Sequence, residues 1–246
     1  MFRALTGTEE GLDMNTKSWR LSVVLLLLVA SFARAEAVYI KPADVDWENL
    51  LSGPPAAGSD VEKQEIATLL EWQNKRTASD VARCKAEETP DAFIFSGVIG
   101  DGFTEQSLPI TAKLLKDVAG DIKPITKDAK AKWARKRPPY VDDRIKPCVT
   151  LEENGSYPSA HAVRGIVWST ILAELFPEKR EKLLARGKLM GEDRVIAGIH
   201  FPSDVEAGQK LGRAIAEKLL ANAEFQATLT AARQECEKAG LAHKAD

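Results

Sequence analysis

Apolar residues recur with helical spacing over most of the chain beyond residue 58. Ser59 and Glu62 are spaced as a capping box, and Ile66, Leu69, Leu70 and Gln73 continue one face behind them, which predicts a helix over residues 60–75. A short helix is expected over 78–87. Further helical patterns recur near 107–119, 125–135, 160–176, 178–197, 204–221 and 223–239, separated by glycine and proline. There is no convincing run of strand-type alternation and no internal repeat, so the expected fold is all-α, a compact helical bundle. Over residues 38–58, Pro42, Gly53, Pro54, Pro55 and Gly58 interrupt any periodicity; this segment is expected to be an extended arm lying on a helical domain of residues 59–246.

The N-terminal pattern has a different meaning. Lys17 and Arg20 precede an apolar run from Leu21 to Phe32, and Ala33-Arg34-Ala35 supplies small residues at a cleavage spacing, the layout of a secretory signal peptide ending at residue 35. Residues 1–13 carry no such character, which leaves Met1 and Met14 both open as the start of translation. The run is shorter than the roughly 20 residues that span a bilayer. The mature protein is therefore expected to be periplasmic or secreted, without stable membrane insertion. Export permits disulfides, and Cys84, Cys148 and Cys236 leave the choice between one bridge and three free thiols open.

Of the 246 residues, 44% are hydrophobic and 28% charged, enough for one sizeable core, and the net charge of -2 suggests neither a nucleic-acid partner nor a polybasic anchor. Any cationic site must be local. Gly97-Val-Ile-Gly100-Asp101-Gly102 has the glycines of a phosphate loop but neither the preceding strand nor the following Lys, so it is expected to be a turn. No Cys or His cluster has metal-ligand spacing, so neither a metal nor another cofactor is expected.

Three segments carry chemistry. In the first, Lys130 and Arg137 stand seven residues apart, nearly two turns, and are expected on one helix face, with Pro138 and Pro139 ending the helix. The competing reading is a solvated basic face made by Lys127, Lys130, Lys132, Arg135, Lys136 and Arg137. In the second, Asn154-Gly-Ser-Tyr-Pro-Ser-Ala-His161 runs into an apolar helix, so free N–H groups and the Ser159 hydroxyl gather at the positive end of a helix dipole beside His161. An anion bound there favours the imidazolium of His161. In the third, Arg194, His200 and Asp204 form an R-x5-H-x3-D pattern; Gly198 and Pro202 allow a turn that brings Arg194 and His200 inward. Ser203 with Glu206 has the spacing of another capping box, and Asp204 is placed to orient the ring of His200. Two of the chain's three histidines fall in these motifs; His243, in a polar tail, is expected to be solvated. Cations, a helix-terminus nest and a carboxylate-oriented histidine make a set suited to phosphoryl transfer.

The succession K-x6-R-P, P-S-[GA]-H and R-x5-H-x3-D resembles that of the type 2 phosphatidic acid phosphatase superfamily, which also contains the vanadium haloperoxidases. The strings Asn154–His161 and Gly191–His200 look most like the bacterial class A non-specific acid phosphatases, and the resemblance covers roughly residues 48–235. It implies the helical bundle of that superfamily, no cofactor, and phosphomonoester substrates. It further implies a phosphohistidine on His200 oriented by Asp204, a proton from His161, and phosphate contacts from Lys130, Arg137, Ser159, the N–H of Ala160 and Arg194. Relatives are often homo-oligomers. Two positions depart from the pattern: Ala160 stands where Gly is usual, and Asp193 where many members have Ser. Asp193 is expected to point away from the pocket or to pair with a cation. Two other functions fit part of the pattern, a vanadate-dependent haloperoxidase and a non-catalytic periplasmic phosphate-binding protein. The second has no use for an oriented nucleophile.

Overall fold

The computed structural model describes residues 37–242; the expected signal peptide and His243 lie outside them. The main helices are α1 (Asp60–Lys75), α2 (Ala78–Ala86), α3 (Pro109–Trp133), α4 (Ala160–Leu175), α5 (Arg180–Ile196), α6 (Pro202–Leu220) and α7 (Ala223–Lys238). No strand occurs among the described residues, so the fold is all-α.

Helix α4 is the centre of the bundle. Its sequence is apolar almost all round, as a helix enclosed by others must be, and Val163, Val167, Ile171 and Leu172 are fully buried. It packs chiefly on α5 and α6. The approach is close because glycines meet at the crossings: a Cβ on Gly187 would lie 2.3 Å from the Gly165 carbonyl oxygen, and one on Gly208 would lie 2.4 Å from that of Ser159. Since Ser159 is the residue that caps α4, Gly208 fixes how near α6 comes to the start of that helix.

Local chemistry explains most helix starts. The Ser59 hydroxyl accepts the Glu62 N–H at 3.2 Å, while the Glu62 carboxylate takes the N–H of Gly58 instead of Ser59, so only half of the expected capping box forms. Three expectations are corrected. The helices expected at 107–119 and 125–135 are one helix, α3, which passes through Pro124. Proline removes one N–H from the ladder, but Ile122, Ile125 and Ala129 on both sides of it are fully buried, and their packing holds the helix together. Glycine-rich residues 97–102 are not wholly a turn: Ser96–Ile99 is a short helix, and the chain turns only at Gly100, where φ is +128°. Finally, α6 begins at Pro202, before the expected cap at Ser203, because the Asp204 carboxylate accepts the Phe201 N–H and Ser203 donates its N–H to Glu65 of α1.

Residues 37–58 carry a 3-10 turn at Pro42–Asp44 and a short helix at Trp47–Leu50. The N–H groups of Val38, Tyr39 and Ile40 converge on the carboxylate of Asp121 in α3. Trp47 stacks edge-on against Trp133, which in turn meets Tyr157, linking this segment to the loop before α4. Cys84 and Cys148 share a small apolar cluster with Ile196, Ala197 and Ile199, while Cys236 belongs to the main core; all three are free thiols. No described helix is long and apolar enough to cross a membrane.

Candidate active site

Backbone hydrogen bonds tie the three motifs together. Ser156 donates its N–H to the Arg135 carbonyl at 2.8 Å, joining the first to the second, and Ser159 donates its N–H to the Asp204 carbonyl at 2.8 Å, joining the second to the third. Lys130 completes the link by donating to the carbonyls of Gly155 and Ser156. Between them opens a cleft of about 780 Å³ lined by Lys130, Arg137, Ala160 and His161, among others.

Lys130 and Arg137 do meet here, but not on one helix face. Helix α3 stops at Trp133, Ala134 takes a left-handed conformation with φ of +45°, and Arg137 is extended. Pro138 enforces that extension, since proline excludes helical geometry from the residue before it. The basic run divides accordingly. Lys127, Lys132 and Lys136 are exposed, whereas Lys130, Arg135 and Arg137 are buried.

His200 is 2% exposed and does not itself line the cleft. Its Nε2 lies 3.1 Å from Nη1 of Arg137 and its Nδ1 lies 3.3 Å from Oδ2 of Asp204. A guanidinium can only donate, so Nε2 must be the acceptor and the ring proton sits on Nδ1, toward the carboxylate. Burial, with Arg137 and Lys130 adding to it against the pull of Asp204, lowers the His200 pKa to about 3, so the ring is neutral and Nε2 keeps its lone pair.

Asp204 is fully buried and richly partnered. Besides His200 it accepts from the Phe201 N–H at 2.8 Å, from Arg135 at 2.7 Å and from the Ser156 hydroxyl. Burial alone works against its charge, but His200, Arg135 and Ser156 outweigh it and hold the carboxyl below its ordinary pKa. Arg135 also reaches Glu65 at 2.8 Å and lies 3.8 Å above the Phe201 ring.

The start of α4 is differently furnished. The Ser159 hydroxyl accepts the Ala162 N–H at 3.4 Å, while the N–H of Ala160, the first helical residue, has no partner among the described residues, as is usual in a first turn. His161 places Nε2 3.2 Å from the Glu87 carbonyl. A carbonyl only accepts, so Nε2 carries the proton and Nδ1 is left to take up another. Burial, reinforced by Arg194 and Arg164, lowers the His161 pKa to about 3. His161 is therefore neutral near neutral pH, and the imidazolium expected from the sequence requires an anion whose charge outweighs burial as well as those two cations. Arg194 donates through Nη2 to the Cys84 carbonyl at 2.9 Å, yet its buried Nε has no partner among the described residues. Asp193 is turned away and held by Arg83 through contacts of 2.7 to 3.1 Å.

Burial and the neighbouring Arg137 lower the Lys130 pKa to about 7, despite Asp204 and Glu152. Burial also lowers that of Arg137, which is held by Glu152 at 2.7 Å and by Asn154 at 2.6 Å. Ser156, Arg135, Glu65 and Glu152 escaped the motif-based reading. Ser156 was detectable, lying inside the Asn154–His161 string. Glu65 was not, because nothing local marks it as the partner of residues 70 and 138 positions away.

The PAP2 superfamily model matches residues 111–222, which include every one of these motif residues. A non-specific acid phosphatase of Providencia stuartii is 34% identical over 83% of this chain and 87% of its own length. One from Salmonella typhimurium is 32% identical over 94% and 97%. The crystal structure of a transmembrane PAP2 type phosphatidylglycerolphosphate phosphatase from Bacillus subtilis matches with a TM-score of 0.47 and 18% identity, over 72% of this chain and 92% of that one.

Proposed function

The chain belongs to the PAP2 superfamily, among the bacterial non-specific acid phosphatases, and we propose that it is an exported enzyme that hydrolyses phosphomonoesters through a phosphohistidine on His200. The observation that carries this reading is the pairing of His200, with Nε2 unprotonated against Arg137 and Nδ1 toward Asp204. A protein that only binds phosphate needs no such nucleophile. The substrate phosphoryl group enters among Lys130, Arg137, Arg194, the Ser159 hydroxyl and the Ala160 N–H. These supply positive charge and donors to its oxygens, including the unpartnered Nε of Arg194.

In the first step Nε2 of His200 forms a bond to phosphorus as the ester P–O bond breaks, and His161 delivers its proton to the leaving alcohol oxygen. Asp204 stabilises the positive charge that develops on His200. In the second step water attacks phosphorus, His161 recovers a proton from it, and the P–N bond breaks to release inorganic phosphate. The phosphate's negative charge opposes Arg194, one of the groups that depress His161, and so raises the pKa of the acid when substrate is bound. The cations of the chain do the work that metal ions do in kinases, and turnover is expected to continue in chelator.

Rapid acid-free quenching with an aryl phosphate, followed by mass spectrometric mapping, tests the reading. The wild-type label is expected on His200, and His200→Ala is expected to form no phosphoenzyme and to lose nearly all turnover, at least about 10⁴-fold. A label on another residue, or a normal burst from the variant, overturns it.

A further inference from the structure

Arg164 lies on α4 one turn beyond Ala160, about 6 Å along the axis, and lines the same cleft. The mechanism above leaves it without a task. Its guanidinium has no hydrogen-bond or ion-pair partner among the described residues, although burial lowers its pKa, with Glu152 opposing. An arginine taken partly out of water and left unpaired costs stability, and such a cost is sustained where a ligand completes the pairing. Side chains on a helix lean toward its N-terminus, so Arg164 leans toward the phosphate nest.

The opposite wall is also cationic. Lys123 and Lys127, one turn apart on α3 and both exposed, line the cleft ahead of Lys130. Seven lining residues are Lys or Arg and two are Glu. One of those two, Glu152, is already engaged with Arg137. A cleft of about 780 Å³ holds much more than a phosphoryl group, so the alcohol portion of the substrate must sit beside Arg164 and these lysines.

We propose that Arg164, with Lys127 across the cleft, is a specificity-determining residue that binds a second anionic group, carboxylate or phosphate, on the alcohol portion of the phosphomonoester. The proposal rests on the phosphatase reading of the site. It assigns the preferred substrates to a class: small phosphomonoesters whose second anion lies roughly one helical turn from the scissile phosphate.

Paired substrates test it. 3-Phosphoglycerate and glycerol 3-phosphate differ in a carboxylate, and fructose 1,6-bisphosphate and fructose 6-phosphate differ in a phosphate. Wild-type kcat/KM is expected to favour the member with the anionic tail in at least one pair roughly 10-fold or more, as suits a charge-assisted hydrogen bond. Arg164→Gln is expected to bring that ratio near one, and Arg164→Lys to keep part of it. Any effect of the substitution on His161 acts on both members of a pair and leaves the ratio alone. Which pair responds tells carboxylate from phosphate. Equal kcat/KM within both pairs, or a ratio unchanged in Arg164→Gln, overturns the proposal. Calorimetric affinities of the same compounds for His200→Ala, with and without Arg164→Gln, separate the two readings. An Arg164-dependent preference in binding without turnover in the wild type sustains the subsite and sinks the phosphatase reading.

Discussion

The two sides of the cleft handle buried polarity in opposite ways. On the His200 side the carboxylates are fully paired: Asp204 takes hydrogen bonds from Arg135, Ser156, the Phe201 N–H and His200, while Arg135 is shared with Glu65 and leaves only its Nε without a partner among the described residues. On the His161 side donors are left over, among them the Ala160 N–H, Nε of Arg194 and the guanidinium of Arg164. The closed network is built like a structural core and holds one ring in one tautomer. The open side keeps its donors for an anion, at a cost in stability that only a ligand relieves. Arg135 and Arg194, both buried, thus belong to different classes: the first completes the protein, the second completes a complex.

Three experiments can break or sharpen this contrast. The largest effect is expected on the open side from His161→Ala. A general acid contributes roughly 10² to 10⁴ in rate, so alkyl phosphates should lose most of that while an activated aryl phosphate loses far less and still labels His200. Equal losses with both leaving groups, measured as kcat/KM, would place the acid elsewhere.

Next comes the arginine pair. Arg135→Ala leaves Asp204 and Glu65 buried without their cation, which typically costs about 3–5 kcal/mol and should lower the melting temperature by on the order of 10 °C. Arg194→Ala removes a charge with no ion-pair partner among the described residues, so its melting temperature should fall much less or rise, while phosphate no longer raises it as in the wild type. Thermal denaturation with and without phosphate reads both. Similar destabilisation by the two substitutions would erase the distinction between closed and open sides.

The smallest effect concerns Lys130, which sits between the two. With burial lowering its pKa to about 7, it is charged below neutrality and loses its proton as pH rises through that value, so phosphate binding weakens on the alkaline side. Arginine stays protonated there. Lys130→Arg should therefore remove the fall in phosphate affinity as pH rises through about 7, measured by calorimetry on either side of that pH; an unchanged fall would assign it to another group.

Much of the helical layout was legible without a structure, for local reasons. Caps such as Ser59, the apolar face of α1 and the proline and glycine breaks are written within a few residues of the elements they control. The misreadings share one cause. Pro124 is a local breaker overridden by burial on both sides, and the cap expected at Ser203 was displaced by contacts with Glu65 of a distant helix.

The sequence by itself determined the residue types, their order and their spacing: a helix terminus rich in donors, a histidine four residues before a carboxylate, and cations in a short run. The tertiary structure alone decided which of those charges are satisfied. Arg135 and Arg137 are two positions apart and look alike in the chain, yet Arg135 is bound to Asp204 and Glu65 while Arg137 faces Nε2 of His200. The state of a buried ionisable group depends on desolvation and on partners brought in from tens of residues away. Periodicity and spacing report on neighbours along the chain and carry no information about either.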